Sequence, residues 1–198
     1  MKIYKFRSSN KPEDIEEILR DNLFYFADWR KLNDPMEGYF HYYEADHSPE
    51  ELRKVVEGKD AYGVCSLSMV NDDILLWTHY ASNHTGVCIE IDADIDRSNE
   101  VALEPMKYRP NIPWLRKDTG NLRDAKDILS TKISKWKFEQ EIRAFCEGKG
   151  RKLVIGRITK VTLGLRVDPN IKQIVNKYIE PARIVQARLK FETNTIDA

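Results

Sequence analysis

KFEQEIRAFCEGKGRKLVIGRITKVTLGL, residues 137–165, decides the fold class. Residues 137–146 alternate in polarity, Gly148-Lys149-Gly150 has hairpin-turn chemistry, and 153–158 and 161–165 read as two further strands. The gaps are too short for crossover helices, so these strands belong to an antiparallel or mixed sheet. Working outward, 87–91 is a nearly unbroken apolar run, which suggests a strand covered on both faces. Residues 1–7 alternate, with Ile3, Lys5 and Arg7 on one side and Lys2, Tyr4 and Phe6 on the other. Residues 23–27, 61–69, 101–108 and 184–189 complete the expected strands, and 192–198 reads as a polar tail. A helix is expected from Pro12 to Asn22, and another begins at the Ser48–Glu51 capping box. Asn71-Asp72-Asp73 caps a third helix that holds Ile74, Leu75, Trp77 and Tyr80, and 121–135 and 171–178 read as two more. The expectation is one α+β domain over 1–198, with short, mostly antiparallel or mixed strands and flanking helices.

A chain of 198 residues can bury a core without staples. Hydrophobic residues at 41% and charged residues at 32% describe a globular protein. Lys+Arg and Asp+Glu both number 32, so no overall field recruits nucleic acid or membrane. The balance conceals an asymmetry: 1–100 carry 11 basic against 21 acidic residues, and 101–198 the reverse. Either the halves attract each other or the basic half lines a groove for an anion such as a phosphate. No apolar run approaches the roughly 18 residues of a membrane span, and the first residues lack a signal-peptide core. Cys65, Cys88 and Cys146 show no CxxC spacing, which suits a reducing cytoplasm better than a disulfide scaffold or zinc ribbon. His41, His47, His79 and His84 form no HxxxH or HxH pair, and Asp92-Ala93-Asp94-Ile95-Asp96 lacks a calcium loop's glycine, so no metal is expected. Walker A, GxGxxG and GxSxG motifs are absent, and Cys65 and Cys88 sit in apolar strands where a thiol is inert.

Four constellations could carry chemistry. In Leu75–Ala81, Trp77 and Tyr80 are neighbours at helical spacing and His79 points about a quarter turn away. They are either core rings with a surface histidine or an aromatic platform beside an imidazole. In 136–145, read as a strand, Glu139, Glu141 and Arg143 share one face. That face is either a surface charge ladder or a carboxylate pair with Arg143 fixing it or an anionic substrate. Asn33-Asp34-Pro35-Met36-Glu37 is a rigid turn by its chemistry. Lys5 and Arg7 could grip a pyrophosphate or merely protect a strand edge.

Tyr4–Arg7, Leu23–Phe26, Leu32–Glu37, Val64–Ser68, Leu76–Ala81, His84–Ile91, Val101–Leu103, Lys132, Trp136, Phe138–Arg143 and Val161–Gly164 follow one another in an order that resembles the bacterial family called domain of unknown function 2971. The W-x-H-Y and E-x-E-x-R pieces are its most distinctive parts, and Met36 stands where that family usually has Phe. The opening strand–helix–strand and the late glutamate strand are also similar to ADP-ribosyltransferases. That likeness implies NAD as substrate, with Lys5 and Arg7 on its pyrophosphate, Trp77 or Tyr80 stacked on nicotinamide and His79 on ribose. Glu141 or Glu139 would be the catalytic carboxylate and Arg143 a further ligand-binding cation. A first-strand histidine common in such enzymes is replaced by Lys5, which cannot accept a hydrogen bond while charged. The resemblance implies a cytoplasmic bacterial ADP-ribosyltransferase or NAD glycohydrolase of defence or toxin systems, phage defence included, and leaves open whether an acceptor is protein or nucleic acid. Two alternatives stand beside it: a non-catalytic nucleotide-binding or regulatory module, and a metal-dependent nuclease using Glu139, Glu141 and Asp34.

Overall fold

The computed structural model describes residues 1–93, 100–115, 122–193 and 195–197. In order, the elements are β1 (Lys2–Arg7), α1 (Pro12–Asp21), β2 (Phe24–Tyr25), α2 (Pro49–Asp60), β3 (Tyr62–Ser68), α3 (Ile74–Tyr80) and β4 (Val87–Ala93). They continue with β5 (Ala102–Pro105), β6 (Lys107–Arg109), α4 (Leu122–Leu129), β7 (Thr131–Ile133), β8 (Glu141–Glu147), β9 (Lys152–Leu153) and β10 (Gly156–Leu163). Last come α5 (Pro169–Tyr178), β11 (Ile184–Gln186), β12 (Arg188–Lys190) and β13 (Thr195–Asp197). Seven strands form one mixed sheet in the order β11-β10-β4-β1-β3-β8-β5, in which only β10 and β11 run parallel; the protein is a single α+β domain. No helix among the described residues is long and apolar enough to cross a membrane.

The local chemistry explains the elements. Asn22, in the left-handed conformation at φ 56°, ends α1 by donating its N–H to Ile18 O. Ser48 and Glu51 exchange the reciprocal bonds of a capping box at the start of α2, and the Asp73 carboxylate caps α3. Ile15, Ile18 and Leu19 of α1 with Ile171 and Val175 of α5 cover one sheet face, meeting Ile3, Leu67, Ile89, Ile91, Ile142 and Ala144. On the other face α3 lays Leu76 and Trp77 against Phe6 and Cys88. β4 is covered on both faces along most of its length, as its apolar run implies.

Several expected boundaries moved. The strand expected over 137–146 begins only at Glu141, because Ser134–Glu139 is a 3-10 helix and Gln140 turns left-handed at φ 39°. The helix expected over 121–135 ends at Leu129 and gives way to β7, which pairs in parallel with β6. The run 153–165 divides differently, with β9 pairing β2 and β10 continuous through Ile158. The polar tail contributes β13, which pairs β12 and buries Ile196. The Asp92–Asp96 motif extends beyond the described residues.

Candidate functional site

β1 and β3 are neighbours in the sheet but share a single bridge, Tyr4 with Ser68. A cavity of about 200 Å³ is lined by Tyr4, Lys5 and Phe6 of one strand and Ser66, Leu67 and Ser68 of the other. Consecutive residues of both strands can line one cavity only where the strands part. Lys5 partly replaces the missing ladder, its ammonium donating to Ser66 O at 2.6 Å. Burial holds the Lys5 ammonium below the usual lysine range.

Tyr80, Lys132, Glu139 and Glu141 close the cavity's charged wall. The Gln140 conformation costs about 1–2 kcal/mol in a residue with a Cβ, and it turns Glu139 inward beside Glu141. Both carboxylates accept from the Lys132 ammonium, at 2.5 Å for Glu139 and 3.0 Å for Glu141. Tyr80 donates its hydroxyl to Glu139 Oε1 and accepts from the Asn33 amide at 2.6 Å. Ser68 Oγ donates to Glu139 O at 2.7 Å, and Glu141 N donates to the Tyr108 hydroxyl at 2.7 Å.

Arg143 stands behind this wall, fully buried. Its guanidinium bonds Glu141 Oε1 at 2.7 Å, grips both Glu37 oxygens at 2.6 and 2.8 Å, and donates to Leu129 O at 2.5 Å. Glu139 and Glu141 therefore share Lys132, and Glu141 and Glu37 share Arg143, in one buried charge network. Burial pushes Glu139 up and Glu141 adds to it, outweighing Lys132 and Tyr80. Burial pushes Glu141 the same way, but Arg143, Lys132 and the Ser66 hydroxyl carry it well below the usual range. Burial and then Glu139 raise the Tyr80 phenol, so it stays a donor at neutral pH.

Of the residues singled out from the sequence, Lys5, Tyr80, Glu139 and Glu141 face the cavity, and Arg143 braces it from behind. Trp77 does not reach it: the ring is 0% exposed, donates to Asn71 O at 2.7 Å, and packs edge-on against Phe6 at 5.2 Å. A nicotinamide cannot stack on a ring already enclosed, so Tyr80 alone remains for that part. His79 is exposed, beside Phe138 rather than in the cavity lining, which takes it away from a bound ribose. Arg7 lies outside the lining too, nearest Asp14 at 3.7 Å. The alternation of β1 had suggested that Arg7 would accompany Lys5, but Lys5 reaches Ser66 across the parted strands and Arg7 has no such opening.

Lys132 entered the sequence reading only through the family resemblance and Glu37 only as part of the 33–37 turn, neither with a role of its own. Lys132 is seven residues before Glu139 and Glu37 is 106 before Arg143, and neither separation carries a periodic signal. Among the described residues, no group of three or more His, Cys, Asp and Glu could hold a metal ion. No protein-family model, curated protein or solved structure matches the chain.

Proposed function

We propose that the chain is an NAD-using enzyme with ADP-ribosyltransferase-like chemistry, in which Glu139 acts at the nicotinamide–ribose bond. The resemblance to domain of unknown function 2971 is part of the same proposal. The observation that carries the reading is a raised, cavity-facing carboxylate bonded to Tyr80 and Lys132, beside a second carboxylate held ionised. The cavity volume suits the nicotinamide-riboside end and excludes the whole dinucleotide. The pyrophosphate would lie at the mouth, where the exposed Lys31 supplies positive charge, since the Lys5 ammonium is buried against Ser66 O.

In the proposed step the ribose C1′–N bond breaks and its electron pair goes to the pyridinium nitrogen, so nicotinamide leaves neutral. The carboxylate wall stabilises the positive charge developing on the ribose. Water or an acceptor group then adds to C1′, and its proton passes to Glu139, whose raised pKa suits that role. Glu141 shares its charge with Arg143 and Lys132, which makes it a positioning residue.

The non-catalytic alternative draws on a specific observation as well. Glu141 and Glu37 have their oxygens engaged by Arg143 and Lys132, as in a structural staple. The nuclease alternative draws less support, because the Lys132 ammonium takes the space between Glu139 and Glu141 that a divalent cation would need.

The test is nicotinamide release from NAD by the wild-type protein and by Glu139→Gln, with both melting profiles recorded. The expected result is turnover that falls by about 10²-fold or more in the variant. NAD that raises the melting temperature without turnover would favour the binding module. Neither binding nor turnover at millimolar NAD would end the enzymatic reading.

A further inference from the structure

A second surface lies on the far side of Lys132. Tyr39-Phe40-His41-Tyr42-Tyr43 places five ring-bearing residues in succession, and all but Phe40 are exposed. Tyr39 is 59%, Tyr43 61% and Trp114 52% exposed, a concentration of aromatic surface that a folded chain rarely leaves in water without use. Trp114 stacks with Tyr43 at 4.6 Å and 20°, and meets His41 at 4.9 Å with the rings tilted by 33°. The backbone holds these rings in place: His41 N donates to Pro113 O at 2.8 Å, and Leu115 N donates to His41 O at 2.7 Å. Phe40 anchors the segment from inside, packed with Val55, Leu115 and Ile128.

Beside the rings runs a cleft of about 410 Å³ lined by Arg109, Pro110, Asn111, Ile112, Pro113, Trp114, Asp127 and Thr131. Asp127 is engaged by Lys107, which leaves the exposed Arg109 guanidinium without a carboxylate partner among the described residues. A smaller recess shares Asn111–Pro113 and Thr131 with this cleft and adds Tyr39 and Lys132. Lys132 also lines the cavity between β1 and β3, so cleft, recess and cavity follow one another across the surface.

We infer that this aromatic cleft binds single-stranded nucleic acid, with bases stacking on Tyr43, Trp114 and Tyr39 and a phosphate meeting Arg109. Flat exposed rings offer a face to any base, and the exposed Arg109 guanidinium supplies the charge the backbone needs. Pre-ordered rings also lower the entropy cost of capturing a flexible strand. The inference does not rest on the NAD reading, since binding here needs none of the cavity carboxylates.

The test is fluorescence anisotropy of a labelled oligothymidylate, titrated with the full chain at two salt concentrations, beside a duplex of the same length. Saturable binding that prefers the single strand and quenches tryptophan fluorescence is expected. Replacing both Tyr43 and Trp114 by Ala should weaken it about tenfold or more, and Arg109→Gln should reduce the salt dependence by about one released ion. Both sites are exposed, so folding should survive, and unchanged melting checks it. Glu139→Gln should leave this binding intact, which separates failure here from failure of the NAD reading. No binding, equal affinity for duplex, indifference to both variants, or sedimentation showing that a second copy covers Trp114 would overturn the inference.

Discussion

Glu139 and Glu141 stand two positions apart and titrate in opposite directions. The folded pKa of Glu141 lies below its ordinary 4.5, so its stabilisation is complete above that value and is lost as acid carries the pH through the folded pKa. The folded pKa of Glu139 lies above 4.5, so the native state holds the extra proton in that window and stability falls as pH rises across it. Glu141→Gln strips Arg143 and Lys132 of a shared counter-charge and is expected to cost about 3–5 kcal/mol at pH 7. That deficit should shrink as the pH drops below 4.5. Glu139→Gln keeps an acceptor for Lys132 but loses the second carboxylate oxygen that accepts from the Tyr80 hydroxyl, and is expected to cost less than half as much. Urea unfolding from pH 7 to pH 3 checks both. Equal losses at every pH would mean the two carboxylates act as one structural unit. The sequence placed both glutamates beside Arg143, but as a plain strand face. The left-handed Gln140 was not legible, because glutamine adopts that conformation only when its surroundings compel it.

At the scale of elements, the loop after α3 meets the sheet through two glycines. A Cβ on Gly86 would lie 2.0 Å from Arg7 O, and one on Gly164 would lie 2.2 Å from His84 O. Gly164 N donates to Gly86 O at 3.0 Å, so this contact ties β10, β4 and β1 together. Gly86→Ala must move backbone and is expected to cost at least about 2–3 kcal/mol. Gly150 has open space around its missing Cβ but sits at φ +80°, so Gly150→Ala is expected to cost only about 1–2 kcal/mol. Parallel denaturation curves check the contrast, and equal costs would contradict the close contact at Gly86. Helix starts were legible here because caps are local: Ser48, Asp73 and Asn22 each announce an end by their own chemistry. Strand boundaries were not, since pairing partners far along the chain decide them, as the 152–158 segment shows by dividing between β9 and β10.

For the whole molecule, Arg143 joins three parts of the chain: the Glu37 loop, the end of α4 at Leu129, and β8. Lysine carries the charge without the planar fork, so it cannot hold Glu37 bidentately and bond Glu141 and Leu129 as well. Arg143→Lys is expected to lose about 3 kcal/mol and to quicken proteolytic cleavage within 33–47, mapped by mass spectrometry. Uniform digestion of both proteins would show that Glu37 does not anchor that loop.

By itself the sequence determined the α+β class, the central apolar strand, most helix starts and the kinship of Glu139, Glu141 and Arg143. These follow from periodicity, capping and short gaps, all set by near neighbours. Only the tertiary structure decided that β1 and β3 part to form a cavity, that Trp77 is enclosed while Tyr80 faces in, and that Lys132 and Glu37 complete the charge network. Those outcomes depend on which distant segments share one buried space, where an uncompensated charge is too costly to leave alone.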